Sequence, residues 1–144
     1  MMHLPPQTIA FTAWMEGFHA APYRDGNGWT CGYGHWTPYK PYGLISRAKA
    51  KQWLRIDLQH VQAVILRTTG SFRPSAGQLE ALDDFVYNVG VGAWMGSTLR
   101  RDLCAGQIRR AAGQFGRWVY CGGRVLPGLV RRRKMEEWLF VESS

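Results

Sequence analysis

The sequence predicts an α+β fold in which a small β-hairpin lobe and a helical lobe are joined by a long helix, with a cleft between the lobes. Three observations predict it. Between residues 22 and 35, the dipeptides Asp25-Gly26 and Asn27-Gly28 are tight-turn signals, and aromatic and Thr residues stand between glycines, which reads as a short twisted hairpin. Leu54, Leu58, Val61 and Ile65 then recur at spacings of four, three and four, the period of a single long helix. Beyond that helix the apolar residues keep helical spacing, so strands and helices segregate instead of alternating.

Each element has a local reason. Pro5 and Pro6 precede a pattern that sets Ile9, Ala13 and Glu16 on one helical face, and Gly17 supplies the stop, so Glu16 is expected at the end of the first helix. Ser46 is the expected N-cap of the long helix, which ends near Gly70. Ser75 and Gln78 form a Ser-x-x-Gln capping box ahead of Leu79, Leu82, Val86 and Val89, a stripe that stops at Gly90. Shorter helices are expected from about Thr98 to Cys104 and from Gln107 to Phe115. Pro127 then opens a last helix through Met135, Trp138 and Leu139.

Length and composition bound the answer. A chain of 144 residues, 46% hydrophobic and with seven Trp, fits one folded domain over 1–144 and excludes a disordered tail. The net charge of +8 predicts an anionic partner. Between Arg100 and Lys134 ten basic residues face the single acid Asp102, which places that surface in the C-terminal half. Cys31, Cys104 and Cys121 are neither an even set nor a Cys-x-x-Cys pair, so no disulfide framework, metal site or cofactor is expected and the three are read as packing residues. Residues 1–15 lack the basic start, long apolar stretch and cleavage site of a signal peptide, and no stretch reaches membrane-span length, so a cytoplasmic chain is expected; it is read as a monomer.

The first 56 residues hold only two acids, Glu16 at a helix end and Asp25 where the hairpin opens. Glycosidic bond cleavage needs such a pair: one carboxylic acid to protonate the leaving oxygen, and one carboxylate to activate water or attack the sugar from the other side. A partly desolvated helix end favours a protonated acid, whereas an open polar hairpin favours an ionised one.

The residues around the pair add a resemblance. Glu16-Gly17-Phe18, Pro22-Tyr23-Arg24-Asp25 and Trp29-Thr30-Cys31-Gly32-Tyr33-Gly34-His35 are similar to the motif of the phage-type, T4-like lysozymes, the endolysins of glycoside hydrolase family 24. Their pattern is a Glu, an Asp nine residues later, a Thr after a short turn, and Gly-Tyr-Gly-His. Similar blocks continue at Gln78–Leu82, Phe85–Gly90, Ser97–Leu99, Arg117–Tyr120, Gly122–Leu129 and Arg131–Arg133. They run from about residue 9 to 140, with the stretch from Thr37 to Phe72 weakly patterned. Two departures stand out: Asp25 to Thr30 is five residues where the family commonly has six, and Cys31 replaces a usual aliphatic residue.

The resemblance implies a lysozyme-like fold and hydrolysis of bacterial peptidoglycan between N-acetylmuramic acid and N-acetylglucosamine, by single displacement with inversion. Glu16 would be the general acid, Asp25 would activate the water, and Thr30 would hydrogen-bond that water. Carried over residue by residue, Gly32, Trp36, Tyr87, Thr98 and, more loosely, Gln114 would contact substrate. Of Arg131, Arg132 and Arg133, which point about a third of a turn apart, one or two would face the cleft, with Arg132 the candidate. His35 would form a salt link behind the hairpin to an acid on the long helix, where Asp57 is the only acid between Asp25 and Glu80. The C-terminal Arg and Lys residues would meet the anionic envelope, reached from the host cytoplasm through a holin-like pore.

A lytic transglycosylase using the same Glu16 is the nearest alternative, but Asp25 and Thr30 suit the handling of water. A basic, non-catalytic wall-binding protein would have no need of both acids. A nucleic-acid-binding protein would account for the charge, yet it would leave the Glu16, Asp25, Thr30 and Gly-Tyr-Gly-His spacing unexplained, and no nucleic-acid motif is present.

Overall fold

The computed structural model describes residues 4–144. The chain divides into two compact units, one ending at His60 and the other beginning at Val61, and the division falls inside one continuous helix.

The first unit opens with α1 (Pro6–Glu16), which has Pro at its first turn and ends where Gly17 takes φ 73 and donates its N–H to Ala13 O. The buried residues of α1 are Thr8 and Thr12, not Ile9 and Ala13, so the expected apolar face is rotated: two Thr one turn apart occupy the inner side. Strands β1 (His19–Asp25), β2 (Gly28–Gly32) and β3 (His35–Thr37) form one antiparallel sheet in that order. The third strand extends the expected hairpin. Asp25 pairs with Gly28, leaving Gly26-Asn27 as a two-residue loop. Gly26 has φ 62, the glycine-first pattern of a type II′ turn, whose twist suits the flanking strands. Helix α2 (Arg47–Thr68) starts as expected, with Ser46 Oγ accepting from Lys49 N at 3.1 Å. Its stripe Leu54, Leu58, Val61 and Ile65 is buried throughout.

The second unit continues from Val61 through α3 (Ala76–Val89), α4 (Val91–Met95), α5 (Thr98–Cys104), α6 (Ile108–Ala112), a 3₁₀ turn at Phe115–Arg117, the small hairpin β4 (Tyr120–Cys121) and β5 (Arg124–Val125), and α7 (Pro127–Glu142). The Ser75–Gln78 capping box forms with both of its hydrogen bonds. Ile65, Leu82, Phe85, Trp94, Leu99, Phe115 and Phe140 share one apolar core, in which Phe85 and Phe115 meet edge-on at 5.3 Å. The Trp94 indole N–H finds the Thr68 hydroxyl at 2.9 Å.

Helix α7 departs from its expected orientation. It buries Arg132, Arg133, Glu136 and Phe140, while Trp138 is 65% and Met135 39% exposed. The cysteines also divide: Cys31 is buried, but Cys104 and Cys121 are exposed, so only the first is a packing residue. Among the described residues, no helix is long and apolar enough to cross a membrane.

Candidate active site

The three-stranded sheet sets out the site through its register. Thr30 on β2 pairs with Tyr23 on β1 and with Trp36 on β3, and directly opposed residues of antiparallel strands point to the same face. Asp25 lies two residues beyond Tyr23, and Gly28 two before Thr30, so both belong to that face too. It therefore carries Tyr23, Asp25, Gly28, Thr30 and Trp36. Arg24, Trp29, Cys31 and His35 lie on the other, where Arg24 and Lys40 both stand over the Trp29 ring at 5.2 and 5.0 Å.

On the first face the buried Thr30 donates its hydroxyl to Asp25 Oδ2 at 2.7 Å. The register absorbs the shorter Asp25–Thr30 spacing within a two-residue turn. Asp25 itself is exposed and keeps its second carboxylate oxygen for another partner. The exposed indole of Trp36 donates to the Asp25 main-chain carbonyl at 3.1 Å. Glu16, half-buried, is the last residue of α1. The Tyr23 phenol is raised above its ordinary value by partial burial first, and then by the negative fields of Asp25 and Glu16. One side chain thus feels both carboxylates. Tyr23 was absent from the sequence-derived site, although its place two residues before Asp25 on a strand is the signal that would have included it.

Gly32 is buried, adopts φ 64, and would bring a Cβ to 2.9 Å from the Ala50 Cβ. Conformation and packing against α2 account for this glycine, so it does not present an open backbone to a sugar. Cys31 is buried and its thiol is pushed up by that burial, which suits packing and not reactivity. Behind the sheet His35 hydrogen-bonds through Nδ1 to Asp57 Oδ2 at 2.7 Å and stacks on Trp53 at 4.7 Å. This pair anchors β3 to α2.

The other candidates belong to the second unit. Tyr87 is half-buried against the apolar core. Thr98 opens α5 and accepts from Arg101 Nη2 at 3.0 Å, and half-buried Gln114 precedes the 3₁₀ turn. Arg132 is the correction in this set. It is buried, and its Nε and Nη2 donate to Asp84 Oδ2 and Oδ1, each at 2.9 Å. A guanidinium held in this bidentate way belongs to a structural ion cluster, not to a sugar contact.

That cluster was not visible in the sequence. Asp83, Asp84, Arg133 and Glu136 are all fully buried. Arg133 Nε lies 3.1 Å from Glu136 Oε1, and Gln62 Nε2 donates to Asp83 Oδ2 at 2.8 Å. Burial pushes the Asp83 carboxyl to about 8, the Gln62 bond offsets part of this, and the charges of Glu80 and Asp84 add to it. Burial and the neighbouring Asp84 also hold Glu136 well above its ordinary range, against the pull of Arg133 and Arg132. Among the described residues, no group of three or more His, Cys, Asp or Glu could hold a metal ion.

Comparison with known proteins adds an independent line. The profile of one family, phage lysozyme, matches residues 13–136. An endolysin of Bacillus phage B103 is 40% identical over 114 residues, which cover 78% of this chain and 43% of that protein. The chain therefore spans less than half the length of that relative. An endolysin of Acyrthosiphon pisum secondary endosymbiont phage 1 is 32% identical over 144 residues, covering 96% of this chain and 98% of its own. The solved muramidase domain of SpmX from Asticaccaulis excentricus has a TM-score of 0.87 at 24% identity, over 98% of this chain and 99% of that one. That last likeness is one of fold.

Proposed function

The chain belongs to the phage lysozyme family and has its lysozyme-like α+β fold, and from that premise we propose that it is a peptidoglycan hydrolase, an N-acetylmuramidase. Glu16 donates a proton to the glycosidic oxygen. It stands at the C-terminal end of α1, half-buried. Asp25 accepts a proton from a water that attacks the anomeric carbon from the opposite side, inverting it.

The observation that carries this reading is the Thr30 to Asp25 bond at 2.7 Å. With its one hydrogen donated to Asp25, the Thr30 hydroxyl has its lone pairs left to accept from the water. The pair holds a water beside a carboxylate that can take its proton, which favours hydrolysis over the transglycosylase alternative. The exposed Arg131 and Lys134, with other exposed cations of the C-terminal half, draw the enzyme to an anionic envelope. Release from the host cytoplasm through a holin-like pore belongs to the same reading.

The test is lysis of outer-membrane-permeabilised bacteria followed by turbidity. Glu16→Gln folds normally and loses at least about a hundredfold in rate, since an amide has no proton to donate. Well-folded Glu16→Gln protein with substantial lytic activity would sink the assignment. Mass spectrometry of the released muropeptides separates reducing ends from anhydro ends. Repeating the assay at rising salt tests the cationic surface, whose attraction is screened once the Debye length falls to about 10 Å near 0.1 M.

A further inference from the structure

We propose that Trp36 is a positioning residue for Asp25: it holds the backbone of the hairpin end that carries the carboxylate and so fixes where that carboxylate meets water. The inference deepens the reading of Asp25 as the residue that activates water, and it rests on that reading.

Asp25 is the last residue of β1, exposed, and followed by a two-residue turn. A strand end of this kind is where a backbone frays first. Two bonds oppose fraying here. Thr30 holds the carboxylate through Oδ2, and Trp36, reaching across from β3, holds the main-chain carbonyl through its indole N–H. The residue is fixed at both ends, by neighbours on the same sheet face.

The reach of Trp36 depends on a gap at Gly28. Asp25 pairs with Gly28 across the hairpin, and the indole lies over this position. A Cβ built on Gly28 would sit 2.5 Å from Trp36 Cε2 and 2.6 Å from Thr37 O. The φ of Gly28 lies outside the left-handed region, so space and not conformation demands glycine here. Gly26 is the contrast: its φ is 62, and a Cβ there would meet nothing. The turn therefore uses one glycine for its bend and one to admit the ring and the Thr37 carbonyl. A ring serving only as a platform for sugar would need no nitrogen aimed at the Asp25 carbonyl.

The experiment compares Trp36→Phe, which keeps an aromatic ring and deletes the N–H, with wild type on soluble peptidoglycan fragments. The expected result is a kcat about tenfold lower with KM changed by less than about twofold and an unchanged thermal midpoint, the split that marks a group acting in the transition state. In an Asp25→Asn background the same substitution lowers the residual rate by less than about twofold, because a residue acting through Asp25 has nothing left to position. Replacing Trp36 by benzothienylalanine, which keeps the shape and exchanges the N–H for sulfur, reproduces the kcat loss and reads the hydrogen bond alone.

A raised KM with kcat retained would make Trp36 a sugar platform and overturn the proposal. Equal losses in the two backgrounds would overturn it as well. Glu16→Gln, assayed alongside, separates the two levels. If it is inactive while Trp36→Phe keeps wild-type kcat, only the positioning role fails. If it retains wild-type rate, the reading of the whole site falls, and this proposal with it.

Discussion

Asp25 and Asp84 are both aspartates on regular secondary structure, and their surroundings treat them in opposite ways. The hairpin leaves Asp25 in water, with a threonine hydroxyl on one oxygen and a tryptophan N–H on its backbone. The helical unit removes Asp83, Asp84 and Glu136 from water altogether. Burial of a carboxylate is tolerated only if a cation or a proton neutralises it. Both solutions are present: Arg132 grips Asp84 with two hydrogen bonds, and burial drives Asp83 and Glu136 towards their protonated forms. A carboxylate kept for work stays wet and lightly held, whereas one inside the fold is tied to a partner that only the fold supplies.

The comparison breaks first at Arg132. Arg132→Met leaves the Asp84 carboxylate buried without its bidentate partner, and urea unfolding should report a loss of about 3–5 kcal/mol. A loss below about 1 kcal/mol, the range of an exposed pair, would show that the cluster does not behave as a buried one. Next comes Thr30→Val, which keeps the shape and removes the bond to Asp25. A hydrogen bond to a charged group is worth about 1.5–3 kcal/mol, so the hydrolytic rate should fall roughly ten- to a hundredfold. Wild-type rates in this variant would detach Thr30 from the chemistry.

A third effect is spread over a range of pH. Asp83 has a folded value of about 8 against 3.8 ordinarily. Across that interval the native state keeps a proton that the unfolded chain has released, so this group's contribution to stability declines as pH rises from about 4 to about 8 and is constant above. Asp83→Asn carries no such titration. Its thermal midpoint relative to wild type should rise steadily through the window and then level off. A difference independent of pH would mean that Asp83 is ionised in the fold.

What the sequence made legible was local. Gly17, Ser46, the Ser75–Gln78 box and Pro127 terminate or start helices through residues within one turn, so neighbouring letters carry the whole instruction. Asp25 and Thr30 were legible as separate candidates, whereas the hydrogen bond between them was not, because it depends on the register that the two-residue turn sets. The inner face of α7 was not. Scoring apolar residues points to Met135, Trp138 and Leu139, whereas the helix buries Arg132, Arg133 and Glu136, a choice made by Asp84 and Asn88 on α3. Only chain folding brings those partners together. Thr8 and Thr12 misdirect the reading of α1 for the same reason. Helix α4 is too short for its period to register. The second hairpin did leave a signal: Gly122 and Gly123, with φ 58 and 79, form the two-residue loop that a type I′ turn requires.

The gap at Gly28 and the ring at Trp36 amount to one instruction written at two places in the sequence. A descendant of this chain that keeps the indole cannot acquire a side chain at residue 28, and one that loses it still meets the Thr37 main-chain oxygen there. The glycine is therefore held twice, by a side chain and by a backbone, and the ring can shrink without the gap becoming free to close. Grafting this hairpin into another scaffold with Asp25 and Thr30 but without that pair would transfer the chemical groups and leave their placement behind.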